Sequence, residues 1–277
     1  MGCGTIRDKA PGPVAGIARC IDESPPLVLY EYPFNESIRT MLRLEHLFGR
    51  LNQLMPRDAA VDHHFALATI FEIMDVASRA DLKSDLLKEL ERHRNQLMGY
   101  RGNPAISEAA LDAVIARIDR SHGGLNQLQG KAGQSLASNE WLMSIRSRIS
   151  IPGGTCEFDL PAYFAWQQLD PERRRADLGT WAGSLTPLSE ALHALMDLLR
   201  DSGAPQRMMA SGGQYQQSLP QNKNYHLMRV RFEDSGGLVP EISGHRLLVS
   251  IRMMRADTEG RLRPLGMDVP FELTLCA

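Results

Sequence analysis

Cysteine is scarce and scattered. Cys3, Cys20, Cys156 and Cys276 are the only four in 277 residues, and none sits at a metal-ligand or disulfide-framework spacing from another. That argues against a zinc site and fits reduced thiols in a cytoplasm. No apolar run approaches the roughly 18 residues of a membrane span, so membrane insertion is not expected. The N-terminus lacks an apolar signal core, and Ile6 stands where a myristoylation signal needs Ser or Thr. Aromatic residues are only 6%, and the formal net charge is −2. A nucleic-acid reader needs a basic surface interleaved with stacking rings, so no nucleic-acid partner is expected. Dinucleotide and P-loop glycine motifs, H-E-x-x-H and G-x-S-x-G are all missing.

What is present is a soluble globular composition, 43% hydrophobic and 23% charged, in a chain long enough for two lobes. Basic residues slightly outnumber acidic ones from Pro205 onward, and the rest of the chain reverses that balance. Net charge therefore decides little, and the placement of arginines decides more.

Residues 1–27 are rich in Gly, Pro, Ala and small polar residues without periodicity, the composition of a disordered tail. Residues 28–204 are expected to form a mainly α-helical domain and residues 205–277 a β-strand domain. The fold class is then α+β, with the helical domain packed on a C-terminal antiparallel β-domain. Leu27–Tyr32 reads as a strand stopped by Pro33, and since an isolated strand is unstable it should pair with the C-terminal sheet.

Asn35 can cap a helix running to about Leu54. At helical spacing Arg39, Arg43, His46 and Arg50 form a narrow basic stripe beside Leu44, Leu47, Phe48 and Leu51. Ala59–Ser78 is apolar nearly all round, which suits a buried helix or a subunit interface. Asp81 and Ser107 can cap two more helices, the second interrupted at Gly123-Gly124, and helical spacing resumes through Trp141, Leu142 and Ile145.

Pro152-Gly153-Gly154 cannot continue a helix, so Ser150–Pro161 reads as a hinge. Within it, Thr155–Asp159 alternates polar and apolar residues and predicts a short strand joining the sheet. Asp159 then caps a helix with Pro161 in its first turn. Helices follow at Ala162–Leu169, at Pro171–Leu178 and from Thr186-Pro187 to Gly203.

Beyond Pro205 the period becomes two. Tyr225–Phe232, His245–Met254 and Met267–Leu275 read as half-buried antiparallel strands, with Leu247, Val249, Ile251 and Met253 inward on the second. Arg229, Arg231, Arg246 and Arg252 would share one wet face. Two readings of that face stay open: edge solubility, or a basic platform for an acidic peptide, since arginine grips carboxylates bidentately.

Catalytic chemistry finds little support. Cys156 follows Gly153-Gly154 as a nucleophile follows an oxyanion loop, but no histidine pairs with it, and it reads as a half-buried strand thiol. His63 and His64 are adjacent, so on a helix they point about 100° apart and cannot chelate together. Glu241 and His245 flank Ile-Ser-Gly and read as turn residues.

Five stretches together are recognisable: YEYPFNESIRTMLRLEHL at Tyr30–Leu47, SDLLKELER at Ser84–Arg92, SIPGGTCEFDLP, SLTPLSEAL at Ser184–Leu192 and EISGHR at Glu241–Arg246. With these the chain resembles the ZapD family of bacterial cell division proteins from about Leu29 to Cys276. The resemblance implies a symmetric homodimer that binds the C-terminal conserved peptide of FtsZ and bundles FtsZ protofilaments at the midcell Z-ring. It implies a cytoplasmic protein with no catalytic step and no cofactor. Arg43, Arg79 and Arg252 match basic positions of the family's peptide pocket, and Arg229 and His245 sit in matched motifs. The chain departs from the family pattern at Glu140 and Leu248, where the family has basic residues, and at Phe164, where it has histidine. The lead before Leu29 has no family counterpart.

Overall fold

Asn35 begins the first helix as its position predicts. Its backbone is extended, and its Oδ1 accepts a hydrogen bond from the Ile38 N–H at 2.9 Å, one of the donors a helix start leaves unpaired. In the computed structural model, residues 27–78, 82–233 and 236–277 are described. Residues 1–27 apart from Leu27, and the third-helix cap at Asp81, lie outside them.

The strand β1 (Leu27–Pro33) leads into the helices α1 (Glu36–Leu54), α2 (Ala60–Ala77), α3 (Leu82–Met98), α4 (Glu108–Gln127), α5 (Gln134–Ala137), α6 (Glu140–Arg148), α7 (Pro161–Gln167), α8 (Pro171–Gly183) and α9 (Thr186–Asp201). The strands β2 (Gln206–Ala210), β3 (Gln214–Ser218), β4 (Leu227–Glu233), β5 (Leu238–His245), β6 (Leu248–Ala256), β7 (Leu262–Pro264) and β8 (Val269–Cys276) complete an α+β fold. Among the described residues no helix is long and apolar enough to cross a membrane.

The helices pack around α9, which touches α1, α3 and α4. Its Leu188, Leu192, Leu195 and Met196 are buried in one cluster with Leu44 of α1, Leu67 and Ile70 of α2, Leu86 and Leu90 of α3 and Ile118 of α4. Each such side chain contributes about 1.5–3 kcal/mol relative to exposure. The sequence predicts a break at Gly123-Gly124, yet α4 runs through to Gln127. A Cβ on Gly124 would stand 3.7 Å from the Pro187 side chain, so the pair lies where α4 approaches the start of α9. Packing there outweighs the roughly 1 kcal/mol each glycine costs a helix.

The strands form two sheets, ordered β1-β4-β8-β2 and β3-β6-β5, with β7 pairing β6. β1 runs antiparallel to β4, so the N-terminal strand joins the C-terminal sheet as expected. Met228, Val230 and Phe232 of β4, Val249, Ile251 and Met253 of β6 and Val269, Phe271 and Leu273 of β8 meet between the sheets. Their period of two anticipates this core. At its end β8 is buried on the other face too: Cys276 and Leu227 belong to the helical cluster, because α9 covers that part of the sheet.

Several expectations fail for local reasons. Thr155–Asp159 forms no strand. The Cys156 N–H bonds to Gly153 O, and the Asp159 and Leu160 N–H groups both bond to Cys156 O, so turns take the donors a sheet partner would need. Phe158 is left 79% exposed. Asp159 pairs with Arg148 and does not cap the next helix, whose N-cap is Leu160. Glu241–His245 is not a turn but the end of β5; the turn is Arg246-Leu247, which leaves Leu247 exposed, not inward.

A buried guanidinium ties α2, α7 and α8 together. Arg174 of α8 is only 5% exposed. Its Nε donates to His63 Nδ1 at 3.0 Å, its Nη1 to the carbonyls of Gln167 at 2.5 Å and Leu169 at 3.0 Å, and its Nη2 to Asp58 O at 2.5 Å. Beside it Trp141, Tyr163, Trp166 and Trp181 pack ring against ring, so all three tryptophans share one cluster.

His63 must be neutral to accept from Arg174, and its Nε2 donates to Arg57 O at 2.6 Å. Burial, then the Arg174 and Arg175 charges, push its pKa below the usual 6.5; burial does the same to His64, and burial with Arg92 to His93. A folded-state pKa below the unfolded one means the unfolded chain binds more protons. The histidine contribution to stability is therefore complete above about pH 6.5 and is lost as pH falls from there through the folded values. Melting temperature should be flat from pH 8 to 7 and fall below 6.5, and His63→Gln, which keeps an acceptor and a donor, should flatten the fall. An equally steep fall in that variant would take His63 out of the explanation.

Candidate functional site

The basic stripe of α1 borders an open cavity of about 450 Å³ lined by Pro33, Arg39, Leu42, Arg43, His46, Leu47, Glu72 and Val76. Leu42, Leu47 and Val76 give it apolar walls, and Arg39, Arg43 and Glu72 bring charges of both signs. Arg43 is half exposed, 52% of its side chain, and lies 3.6 Å from Glu36; Arg39 lies 3.2 Å from the same carboxylate. Arg50, the last member of the stripe, does not line the cavity itself: its Nε donates to Thr69 Oγ1 at 2.9 Å and its Nη2 meets the lining Glu72 at 2.6 Å. Arg79 lies outside the described residues.

Arg252 and His245 share the solvent face of the β3-β6-β5 sheet. In the β5–β6 ladder Glu241 stands opposite Arg252, Ser243 opposite Ser250 and His245 opposite Leu248. Successive pairs of this kind point to one face, so Arg252 and His245 are about 13 Å apart along the strands. Arg252 Nη2 meets Glu241 Oε2 at 2.6 Å. The His245 Nδ1 accepts from the Leu247 N–H at 3.3 Å, which puts the neutral ring's proton on Nε2.

The end of β1 joins these two regions. Pro33 lines the Arg43 cavity. Its neighbour Tyr32 bonds through its hydroxyl to both the N–H and the carbonyl of Gly244, at 3.3 and 3.4 Å. A Cβ on Gly244 would come within 2.8 Å of the Phe34 ring, so only glycine permits this contact. Tyr32–Phe34 thus links the strand that borders the Arg43 cavity to the inner side of β5, whose outer side carries His245 and faces solvent with Arg252. The sequence offered no signal for this junction, because it depends on Gly244 meeting residues more than 200 positions away.

Arg229 is placed differently. The four strand arginines do not share one face: Arg229 and Arg231 lie on β4 in the β1-containing sheet, Arg252 lies in the other sheet, and Arg246 occupies a turn. The period of two orders residues within a strand but does not say which strands share a sheet. Arg229 points toward the helices, 22% exposed, with its Nε 3.0 Å from Glu31 Oε1. Glu31 of β1 and Glu45 of α1 are also gripped by Arg200 of α9, at 2.7 and 2.5 Å. The two carboxylates hold the Arg200 guanidinium charged, raising its already high pKa. The cluster pins β1 and β4 to α1 and α9.

Of the positions read from the sequence as departures, Leu248 sits opposite His245 on the Arg252 face. Glu140 opens α6, and Phe164, 42% exposed, lies on α7. Cys156 is a half-buried thiol in the turns of the hinge.

A family model described as "ZapD: Cell division protein" matches residues 42–252. Two proteins named Cell division protein ZapD, from Ralstonia nicotianae and Ralstonia pickettii, are each 53% identical to this chain over 251 residues, which is 90% of this chain and 99% of theirs.

Proposed function

The chain belongs to the ZapD family of cell division proteins, and from that premise we propose that it is a dimeric, non-catalytic crosslinker that binds FtsZ and bundles its protofilaments in the Z-ring. The observation that supports the reading is the apolar-walled cavity beside Arg39 and Arg43, with the exposed Arg252 as a second cationic position on the outer face of the other sheet. An acidic, partly apolar peptide suits it. Peptide carboxylates take the arginines, and apolar side chains lie against Leu42, Leu47 and Val76. Arg79, which the resemblance matches to a basic pocket position, is assigned to the same site. Arg229 supports the site by holding β4 against the helices.

Two copies of the site in one dimer join two filaments by avidity, and no cofactor takes part. The dimer contact is assigned to the outer face of α2, where Val61 and Phe65 stay exposed one turn apart in a helix whose other apolar side chains are mostly buried. Such a protein works in the cytoplasm at midcell.

The test is fluorescence anisotropy of a labelled FtsZ C-terminal peptide, with sedimentation to follow the dimer. Saturable binding that weakens with salt is expected. Arg43→Ala and Arg252→Ala should each weaken it about tenfold, the scale of one charge-assisted contact at a half-exposed site. Arg252→Glu should abolish binding and leave the dimer intact. Unchanged affinity in that variant would remove Arg252 from the site.

A further inference from the structure

We propose that Glu241 occupies, in the free protein, the place on Arg252 that a ligand carboxylate takes, and that Glu36 does the same on Arg39 and Arg43. Binding is then an exchange of carboxylates. The inference rests on the peptide-binding reading above and concerns how that site selects its ligand.

Glu241 lies across the β5–β6 ladder from Arg252 and meets it at 2.6 Å. Glu36 reaches two arginines from the first turn of α1. Both carboxylates are well exposed, 50% and 71%, so each can swing into water while its arginine stays in place. Glu31 differs: it is 15% exposed and held by Arg200 and Arg229 together, so it is not exchangeable.

Two consequences follow from the chemistry. A ligand with a single carboxylate merely replaces one exposed ion pair with another and gains little. The site therefore selects a segment that brings two or more carboxylates together with apolar side chains for the Leu42, Leu47 and Val76 wall. Salt also acts on both the old and the new pair, so binding responds to it less than it would with unpaired arginines.

The experiment titrates the labelled FtsZ C-terminal peptide into the wild-type protein, Glu241→Gln, Arg252→Ala and the double variant, at low and moderate salt. Glu241→Gln is expected to bind about two- to fivefold tighter at low salt, the range of an exposed pair, with a steeper loss in salt. In the Arg252→Ala background the same substitution should add nothing. If Glu241→Gln binds no tighter while Arg252→Ala weakens binding, Glu241 orients Arg252 and does not compete; the exchange is overturned and the peptide site stands. A gain that persists without Arg252 is a general charge effect and also overturns it. If neither Arg252→Ala nor Arg43→Ala alters binding, or no variant binds, the site reading itself fails and the exchange with it.

Discussion

Arg174→Met is expected to destabilise the protein by about 3–5 kcal/mol, the range for breaking a buried polar network. The residue looks expendable in the sequence, one of three consecutive arginines in a short helix. In the structure its planar fork satisfies three carbonyls and the His63 imidazole at once, on the segment before α2, on α2 and at the end of α7. Methionine fills similar volume but leaves those acceptors buried without donors. Lysine keeps the charge yet lacks the fork, so Arg174→Lys should recover only a minor part. Denaturant unfolding, followed by the fluorescence of the tryptophan cluster that lies against His63, gives the measurement. A loss below about 1 kcal/mol would mean that water replaces the guanidinium, and the network would not be the joint described here.

Arg200→Ala should cost about 2–4 kcal/mol and loosen the β-sandwich from the helices. Arg200 is 18% exposed and donates to both oxygens of Glu31 and of Glu45. Its removal leaves two half-buried carboxylates with only Arg229 beside them. The design of the control matters, because a buried ion cluster is not in itself stabilising: an apolar replacement of all its members is often neutral. Arg200→Ala alone should therefore be worse than Arg200→Ala combined with Glu31→Gln and Glu45→Gln. The single variant should also weaken peptide binding, since β1 carries the Tyr32–Phe34 step from Glu31 to α1. A triple variant as unstable as the single one would show that the cost is lost packing and not stranded charge.

Most helices are legible in the sequence because their determinants are local. The Asn35 cap acts on a donor three residues away, and the apolar stripe of α1 is set by 3.6-residue spacing. The same holds for the inward residues of β4, β6 and β8. β3, with the sequence QYQQS, passes unnoticed because most of its residues are polar and exposed, so burial leaves no strong pattern on it. The hinge misleads for the opposite reason: Thr155–Asp159 alternates like a strand, but the turns around Pro152-Gly153-Gly154 claim its N–H groups first.

By itself, the sequence determined the fold class, the pairing of the N-terminal strand with the C-terminal sheet and the family. These rest on neighbours along the chain or on motifs that stay together. Only the tertiary structure decided that Arg252 and His245 face solvent while Arg229 is enclosed with Glu31, Glu45 and Arg200. All are basic residues in half-buried patterns, and nothing local separates them. What separates them is which sheet each strand enters and that α9 covers one of those sheets. Long-range packing sets both, by choosing which face of each sheet loses its water.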